Sequence, residues 1–180
     1  DSLFEAAQHR GERYGRRRIV WAPHWSIPGA HSELQWSTFL EVADAFATLA
    51  DQLRDEAEFV MKPHPFLRSV VATKSPWGRA RTDAFFEAWE ARPNCAIHTA
   101  AYVDLFSGAD ALIHDSGSFS VEFLPFDRPA AYLVSPSGLE GRFNAIGLEA
   151  IAAHTVLHSS DGIEGFVRRV IAGDDPKRKE

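Results

Sequence analysis

The segment Asp115-Ser116-Gly117-Ser118-Phe119-Ser120 has residue types that suit the binding of a phosphate group. It follows the apolar run 111 to 113, so we predict a strand, a tight turn and the start of a helix. The first turn of a helix presents unpaired amides and about half a positive charge, which favour an anion. Gly117 lets the backbone approach a ligand, and the serine hydroxyls add donors without bulk. The structural alternative is that these serines only cap the helix.

Glu122 lies four residues after Ser118, which places both side chains on one face of the predicted helix. A carboxylate in that position suits the diol of a ribose. The spacing therefore fits a nucleoside diphosphate, with a solvated surface glutamate as the alternative.

Two histidines are predicted to follow neighbouring strands. His64 lies in Lys62-Pro63-His64-Pro65, directly after the apolar run 59 to 61, and the prolines prevent a helix from starting there. His24 follows the run 19 to 22 in the same way. An imidazole at a strand end can donate to a phosphate oxygen or protonate a leaving group, which predicts a catalytic role for both histidines. The alternative is that both are structural.

The sequence lacks the residue patterns that several other chemistries require. The 8 histidines show no close spacing typical of zinc, and Cys95 has no second cysteine to join it, so we predict no metal and no other cofactor. Gly-x-Ser-x-Gly is absent, which disfavours a serine hydrolase. The chain also has no P-loop motif and no Gly-x-Gly-x-x-Gly after the first predicted strand.

The elements that must position these residues alternate between short apolar runs and longer helical patterns, which predicts an α/β fold: a Rossmann-like parallel sheet flanked by helices on both faces. Predicted strands cover 19 to 22, 59 to 61, 95 to 97, 111 to 113, 130 to 134 and 155 to 157. Predicted helices cover 37 to 53, 82 to 91, 102 to 107, a segment from 117 through 124, and 163 to 171. We expect 66 to 80 to be irregular and 135 to 147 to form a glycine-rich loop.

Length and composition limit the class of protein. With 180 residues, 45% hydrophobic and 24% charged, the chain suits one soluble domain, and no run approaches the ~20 apolar residues of a membrane span. A net charge of -6 argues against general nucleic-acid binding. No secretory signal is evident, so we expect a cytoplasmic location. We predict a lead-in helix or linker at 1 to 16, the domain at 17 to 173 and a polar tail at 174 to 180.

Four stretches of the chain occur in an order typical of one family. They are Trp21-Ala22-Pro23-His24-Trp25, Lys62-Pro63-His64-Pro65, Leu105-Phe106-Ser107-Gly108-Ala109-Asp110-Ala111-Leu112-Ile113-His114-Asp115-Ser116 and Arg128-Pro129-Ala130-Ala131-Tyr132. Together they resemble the carboxyl-terminal half of the CDP-glycerol glycerophosphotransferase family, whose members build teichoic-acid-type polymers. That family commonly has Asp-Tyr-Ser-Ser at 115 to 118. The Asp-Ser-Gly found here, with a helical glutamate after it, is similar instead to UDP-sugar epimerases and sugar transferases.

The resemblance implies a GT-B architecture, in which two Rossmann-like domains face a cleft and this chain is the donor-binding half. It implies that His64 contacts the donor phosphates, that Ser116, Gly117 and Ser118 lie on the diphosphate, and that Glu122 approaches the ribose. The donor would be CDP- or UDP-linked. The acceptor-binding domain would lie outside this chain, and any peripheral association with the inner face of the membrane would go through that domain.

Together with the residues above, the resemblance implies the donor-binding domain of an enzyme that moves a glycerol-phosphate or glycosyl group from a CDP- or UDP-linked donor to an acceptor hydroxyl in cell-surface polymer synthesis. A GT-B-fold UDP-sugar epimerase or hydrolase, and a non-catalytic binding module, are the alternatives. The predicted donor-binding residues are Lys62, Asp115, Ser116, Gly117, Ser118, Ser120 and Glu122, and the predicted catalytic residues are His24 and His64.

Overall fold

A computed structural model describes residues 15 to 30, 33 to 175 and 177. Its strands are β1 (Arg17–Ala22), β2 (Ala57–Met61), β3 (Cys95–Ile97), β4 (Ala111–His114), β5 (Ala130–Leu133) and β6 (Thr155–Leu157). Across these described ranges the helices are α1 (Phe39–Gln52), α2 (Leu67–Lys74), α3 (Gly78–Glu90), α4 (Val103–Ser107), α5 (Phe119–Glu122), α6 (Ala145–Ala152) and α7 (Ser160–Ile171), with a 3₁₀ turn at Leu124–Phe126. Most of the predicted lead-in segment, 1 to 14, and the tail positions 176 and 178 to 180 lie outside the described residues.

The six strands form one sheet in the order β3-β2-β1-β4-β5-β6, and every neighbouring pair is parallel. Parallel neighbours require crossover connections, and helices supply them here. The predicted α/β fold with a parallel sheet is therefore confirmed. The chain adds strands on one side of β1 and then returns to add β4 on its other side. This reversal creates a crevice at the carboxyl ends of β1 and β4, where doubly wound folds bind ligands.

Alternating residues of the central strands face two cores. Ile19 and Trp21 of β1 belong to the core that also contains buried residues of α1, α2, α3 and α7. Val20 and Ala22 face the other core, which α4 and the 3₁₀ turn cover with Phe106 and Phe126. Because both faces are buried, the carboxyl edge of the sheet is left to carry polar side chains.

The helix predicted at 37 to 53 is present as α1, and an apolar stripe along it and its C-cap faces the core. Its members Phe39, Val42, Phe46, Leu49 and Leu53 are all buried. The indole ring of Trp21 stacks on two of them, with centroid distances of 5.5 Å to Phe39 and 4.1 Å to Phe46. These contacts fix α1 against the strand that ends at the crevice.

Three local predictions were wrong. Residues 66 to 80 form α2 and the start of α3, because Leu67 and Val71 share one helical face and both reach the core. The loop predicted at 135 to 147 ends earlier, since Asn144 caps α6 by accepting from the Gly147 amide at 2.9 Å.

The helix predicted from 117 through 124 is a single turn, α5, of 4 residues. Pro125 lacks an amide hydrogen and lies in the 3₁₀ turn, and Asp127 then takes a left-handed conformation with φ 48°. Of the apolar residues in this segment, Phe123 is buried, whereas Val121 and Leu124 are 48% and 42% exposed. A short helix has a small dipole, so an anion here would depend on individual donors.

Candidate functional site

A cleft of about 220 Å³ opens at the carboxyl edge of the sheet, between the ends of β1, β2 and β4. It is lined by Ala22, Pro23, His24, Lys62, Pro63, His64, Pro65, Ser116, Ser118 and Phe119. The structure thus brings together five residues that the sequence selected, from three segments that together span more than 90 positions of the chain.

Backbone hydrogen bonds hold the Lys62-Pro63-His64-Pro65 loop against the end of β1. The Lys62 amide donates to the Trp21 carbonyl at 2.7 Å, and the His64 amide donates to the Pro23 carbonyl at 3.1 Å. The two predicted histidine loops are therefore parts of one rigid wall.

The His64 imidazole accepts a hydrogen bond at Nδ1 from the Phe66 amide, at 3.2 Å. Partial burial and the nearby Lys62 ammonium both lower its pKa. The ring is neutral at neutral pH, and because Nδ1 is an acceptor, its proton is assigned to Nε2.

His24 has the same arrangement. Its Nδ1 accepts from the Ser26 amide at 3.2 Å and lies 2.8 Å from the Ser26 hydroxyl. The ring centroids of His24 and His64 are 5.5 Å apart, and burial, followed by the neighbouring His64, lowers the pKa of His24 to about 4. Two neutral imidazoles, each with a proton assigned to Nε2, therefore flank the cleft.

Lys62 contributes a cation to the same wall. Burial lowers its pKa from the ordinary value. An ammonium group beside two neutral donors suits an anionic ligand, because it attracts negative charge and the imidazoles add directed hydrogen bonds.

Ser116 and Ser118 carry the hydroxyls that line the opposite wall, with their Oγ atoms 3.3 Å apart. The Ser116 carbonyl accepts from His114 Nδ1 at 3.0 Å and from the Ser120 hydroxyl at 3.3 Å. Ser120, predicted as a ligand contact, is fully buried and supports the turn from below.

Asp115 was predicted to contact the ligand, but its side chain lies in the interior, at 0% exposure. Its carboxylate accepts hydrogen bonds from the His24 amide, the Thr38 amide and the Thr38 hydroxyl. Burial raises the pKa of Asp115 to about 6 in spite of these bonds. The carboxylate therefore faces protein donors and does not line the cleft.

Gly117 lies against an aromatic ring. A Cβ atom at this position would be 2.9 Å from two atoms of the Trp36 indole, which stacks on Phe143 at a centroid distance of 5.8 Å. The structure shows that Gly117 makes room for Trp36, and that it also lets a ligand approach stays a prediction.

Glu122 is half-buried and lies beside Tyr102. Burial first, and then a hydrogen bond to the Glu122 carboxylate, raise the pKa of the Tyr102 hydroxyl. The Tyr102 ring is 5.3 Å from that of Phe119, which reaches the cleft. Sequence reasoning missed Tyr102, whose signal was its position after the end of β3; Phe119 lay within the predicted phosphate-binding segment but was given no role of its own.

The cleft is suited to hold an anion by hydroxyls, imidazoles and an ammonium group. In the part of the chain that the structure describes, no three His, Cys, Asp or Glu side chains are grouped as a metal ion would require. None of the helices in the described ranges is long and apolar enough to span a bilayer.

The parallel sheet, its strand order and its polar carboxyl edge define a Rossmann-type α/β domain of the kind that forms half of a GT-B protein. The sequence matches no protein-family model and no curated protein.

Solved structures show the same fold. The wall teichoic acid polymerase TagF superimposes with a TM-score of 0.58 and 17% identity, over 98% of this chain and 41% of that chain. UDP-GlcNAc 2-epimerase from Neisseria meningitidis superimposes with a TM-score of 0.57 and 15% identity, over 98% of this chain and 40% of that chain. E. coli ADP-heptose LPS heptosyltransferase II superimposes with a TM-score of 0.58 and 12% identity, over 95% of this chain and 51% of that chain.

The chain thus spans about half or less of the length of each of these proteins. At such low identity the similarity establishes the fold alone. The epimerase structure was determined with UDP-GlcNAc bound, and a TagF variant was soaked with CDPG.

Proposed function

We propose that this chain binds the diphosphate of a CDP- or UDP-linked donor in the cleft at the carboxyl edge of the sheet. One observation carries the proposal: His24, Lys62, His64, Ser116 and Ser118 converge on a single cleft at the point where the strand order reverses. Negative charge of a diphosphate matches the ammonium, hydroxyl and imidazole groups found there.

The chemistry proposed is transfer of a glycerol-phosphate or glycosyl group to an acceptor hydroxyl in cell-surface polymer synthesis. As the acceptor oxygen attacks, the bond between the transferred group and the leaving nucleotide breaks, and negative charge grows on the leaving phosphate. Nε2-H of His24 and His64 would stabilise that charge, with the hydroxyls of Ser116 and Ser118. Preorganised donors of this kind contribute roughly 3 kcal/mol each to the transition state.

The acceptor site would belong to a second domain. So would the base that takes the hydroxyl proton, because neither imidazole can accept a proton at an Nε2 atom that already carries one. The GT-B similarity supports this division, since the chain corresponds to 41% of TagF. We therefore expect little or no turnover from this chain alone.

Isothermal titration with CDP and UDP tests the proposal. His64→Ala and Ser118→Ala should each weaken binding by about tenfold to a hundredfold, because a hydrogen bond to a charged group contributes about 1.5–3 kcal/mol. His158, exposed and outside the cleft lining, supplies the control: His158→Ala should bind as the original chain does. Absence of heat with either nucleotide would favour a non-catalytic module.

A second candidate function is that of a UDP-sugar epimerase or hydrolase with a GT-B fold. The similarity to UDP-GlcNAc 2-epimerase and the Asp-Ser-Gly turn followed by Glu122 favour it. Incubation of the chain with UDP-GlcNAc and analysis of the products distinguishes the two: an epimerised or hydrolysed sugar without any acceptor would replace the transferase proposal.

A further inference from the structure

Asp115 has a buried carboxylate that joins three segments of the chain. Oδ1 accepts from the His24 amide at 2.6 Å, and Oδ2 accepts from the Thr38 amide at 2.6 Å and the Thr38 hydroxyl at 2.9 Å. His24 belongs to the loop after β1, Thr38 directly precedes α1, and Asp115 itself begins the turn after β4. Both carboxylate oxygens are thus engaged by the protein.

The groups around this carboxylate require its ionised form. The two backbone amides can only donate, and the Thr38 hydroxyl lies where it donates as well. A proton on the carboxyl group would have to displace one of these bonds. Although burial raises the pKa of Asp115 to about 6, the group is ionised at pH 7.

The segment between β1 and α1 has a second attachment to the same turn. The Ser26 hydroxyl accepts from the Trp36 amide at 3.1 Å and lies 2.8 Å from His24 Nδ1. The Trp36 ring then packs on Gly117. The contact between the Trp36 ring and Gly117 is apolar. The Asp115 carboxylate, by contrast, binds the backbone amide of His24 itself.

We propose that Asp115 is a positioning residue, which holds the His24 loop and the start of α1 against the Ser116-Gly117-Ser118 turn so that the imidazole and the hydroxyls face one ligand. The proposal rests on the proposed function for the identity of that ligand, but the juxtaposition of the segments does not depend on it. Asp115 touches no ligand in this role, and its negative charge stays behind the turn, away from a bound diphosphate.

Two measurements on one set of variants test the proposal: the ring pKa of His24 by NMR and the affinity for CDP by calorimetry. Asp115→Asn replaces one acceptor oxygen by a donor, and Thr38→Val removes one donor at nearly constant shape. We expect Asp115→Asn to move the ring pKa of His24 from about 4 toward 6.5 as the loop detaches and the ring becomes solvated, and to weaken CDP binding at least tenfold.

Thr38→Val should shift both quantities in the same direction by a smaller amount, and Thr38→Ser should restore both. Thr48 supplies the control, since it lies within α1, the helix that Thr38 precedes, and its hydroxyl donates to the Asp44 carbonyl on the exposed face, at 2.9 Å. Thr48→Val should change neither quantity. If Asp115→Asn does not fold, Thr38→Val and its serine rescue decide the question.

Unchanged His24 titration in a folded Asp115→Asn or Thr38→Val variant would overturn the proposal. Weakened CDP binding with that titration unchanged would overturn it too, because Asp115 would then act on the ligand directly. Failure of the original chain to bind either nucleotide would refute the proposed function, and the His24 titration would still decide whether Asp115 positions the loop.

Discussion

At the scale of single residues, the cleft depends on which nitrogen of each imidazole is free. Backbone amides occupy Nδ1 of both His24 and His64. The pKa of each ring is lowered, so both donate from Nε2 without carrying charge. Of these three side chains, Lys62 supplies positive charge, and the two imidazoles supply directed hydrogen bonds.

Gly117→Ala should destabilise the chain by about 1–3 kcal/mol, the usual cost of overpacking. The added Cβ would meet the Trp36 indole at 2.9 Å, and that ring is held in place by Phe143. Urea denaturation measures the loss, and tryptophan fluorescence reports the displaced ring.

Gly165→Ala is the matched control for this change. Gly165 lies in α7 and a Cβ there would have nothing within 4 Å. Alanine should therefore stabilise the helix by roughly 0.5–1 kcal/mol. Equal effects of the two substitutions would show that Trp36 does not constrain Gly117.

The sequence predicted which residues lie at the strand ends, but not the directions in which their side chains point. The hydroxyls and imidazoles were recognisable because a parallel sheet brings its carboxyl ends to one edge. The interior position of Asp115 depends on Thr38, 77 positions away, and no local pattern encodes that contact. Trp36 was missed for the same reason, since its partner Gly117 is distant in the chain.

At the scale of elements, α1 is the helix that fixes β1 and hence the His24 loop. Its Phe46 ring stacks on Trp21 with an interplanar angle of 13°. Periodicity predicted this helix well because the apolar positions recur over several turns. Pro125 indicates that a helix starting near 117 must end by about Leu124, but the earlier end of α5 at Glu122 and the left-handed Asp127 beyond it have no local sequence signal.

Phe46→Ala should lower the free energy of unfolding by about 3–5 kcal/mol, because a fully buried ring is removed and leaves a cavity. Phe66, which is 60% exposed, is the control: Phe66→Ala should change the free energy by less than about 0.5 kcal/mol. Urea titrations followed by circular dichroism measure both. Similar losses in the two variants would contradict the assignment of Phe46 to the core.

At the scale of the whole molecule, two fully buried histidines connect pH to stability. The ring centroids of His114 and His154 are 5.2 Å apart, and neither Nε2 has a hydrogen-bond partner among the described residues. Burial is the main cause of the lowered pKa of each. The folded chain therefore keeps both rings neutral at pH values where an unfolded chain protonates them.

Acidification from pH 7 to 5 should lower the free energy of unfolding by roughly 1–3 kcal/mol. Below about pH 6.5 these histidines bind protons in the unfolded chain but stay neutral in the folded one. Their full contribution to the free energy of unfolding is therefore present above that pH and is lost as the pH falls below it. Asp115, with its pKa raised to about 6, opposes the trend below pH 6, because the folded form then takes a proton before the unfolded one. Urea denaturation across this range measures the slope.

His154→Asn should reduce that slope, since an asparagine amide can keep the hydrogen bond that Nδ1 makes to the Ala150 carbonyl at 2.8 Å and does not titrate. The exposed His158 is the control, and His158→Asn should leave the slope as it is. A slope that is equal in all three chains would exclude His154 as its source.

The cleft volume of about 220 Å³ lies below the ~300–1,000 Å³ typical of sites that enclose a whole ligand. A bound diphosphate would keep much of its hydration shell on the open side. In bulk water, attraction between two charges 4 Å apart is only about 1 kcal/mol, against about 4 kcal/mol near a protein surface. Occupancy of this domain would therefore fall as ionic strength rises, and a tight hold on the donor would require a second surface to displace that water.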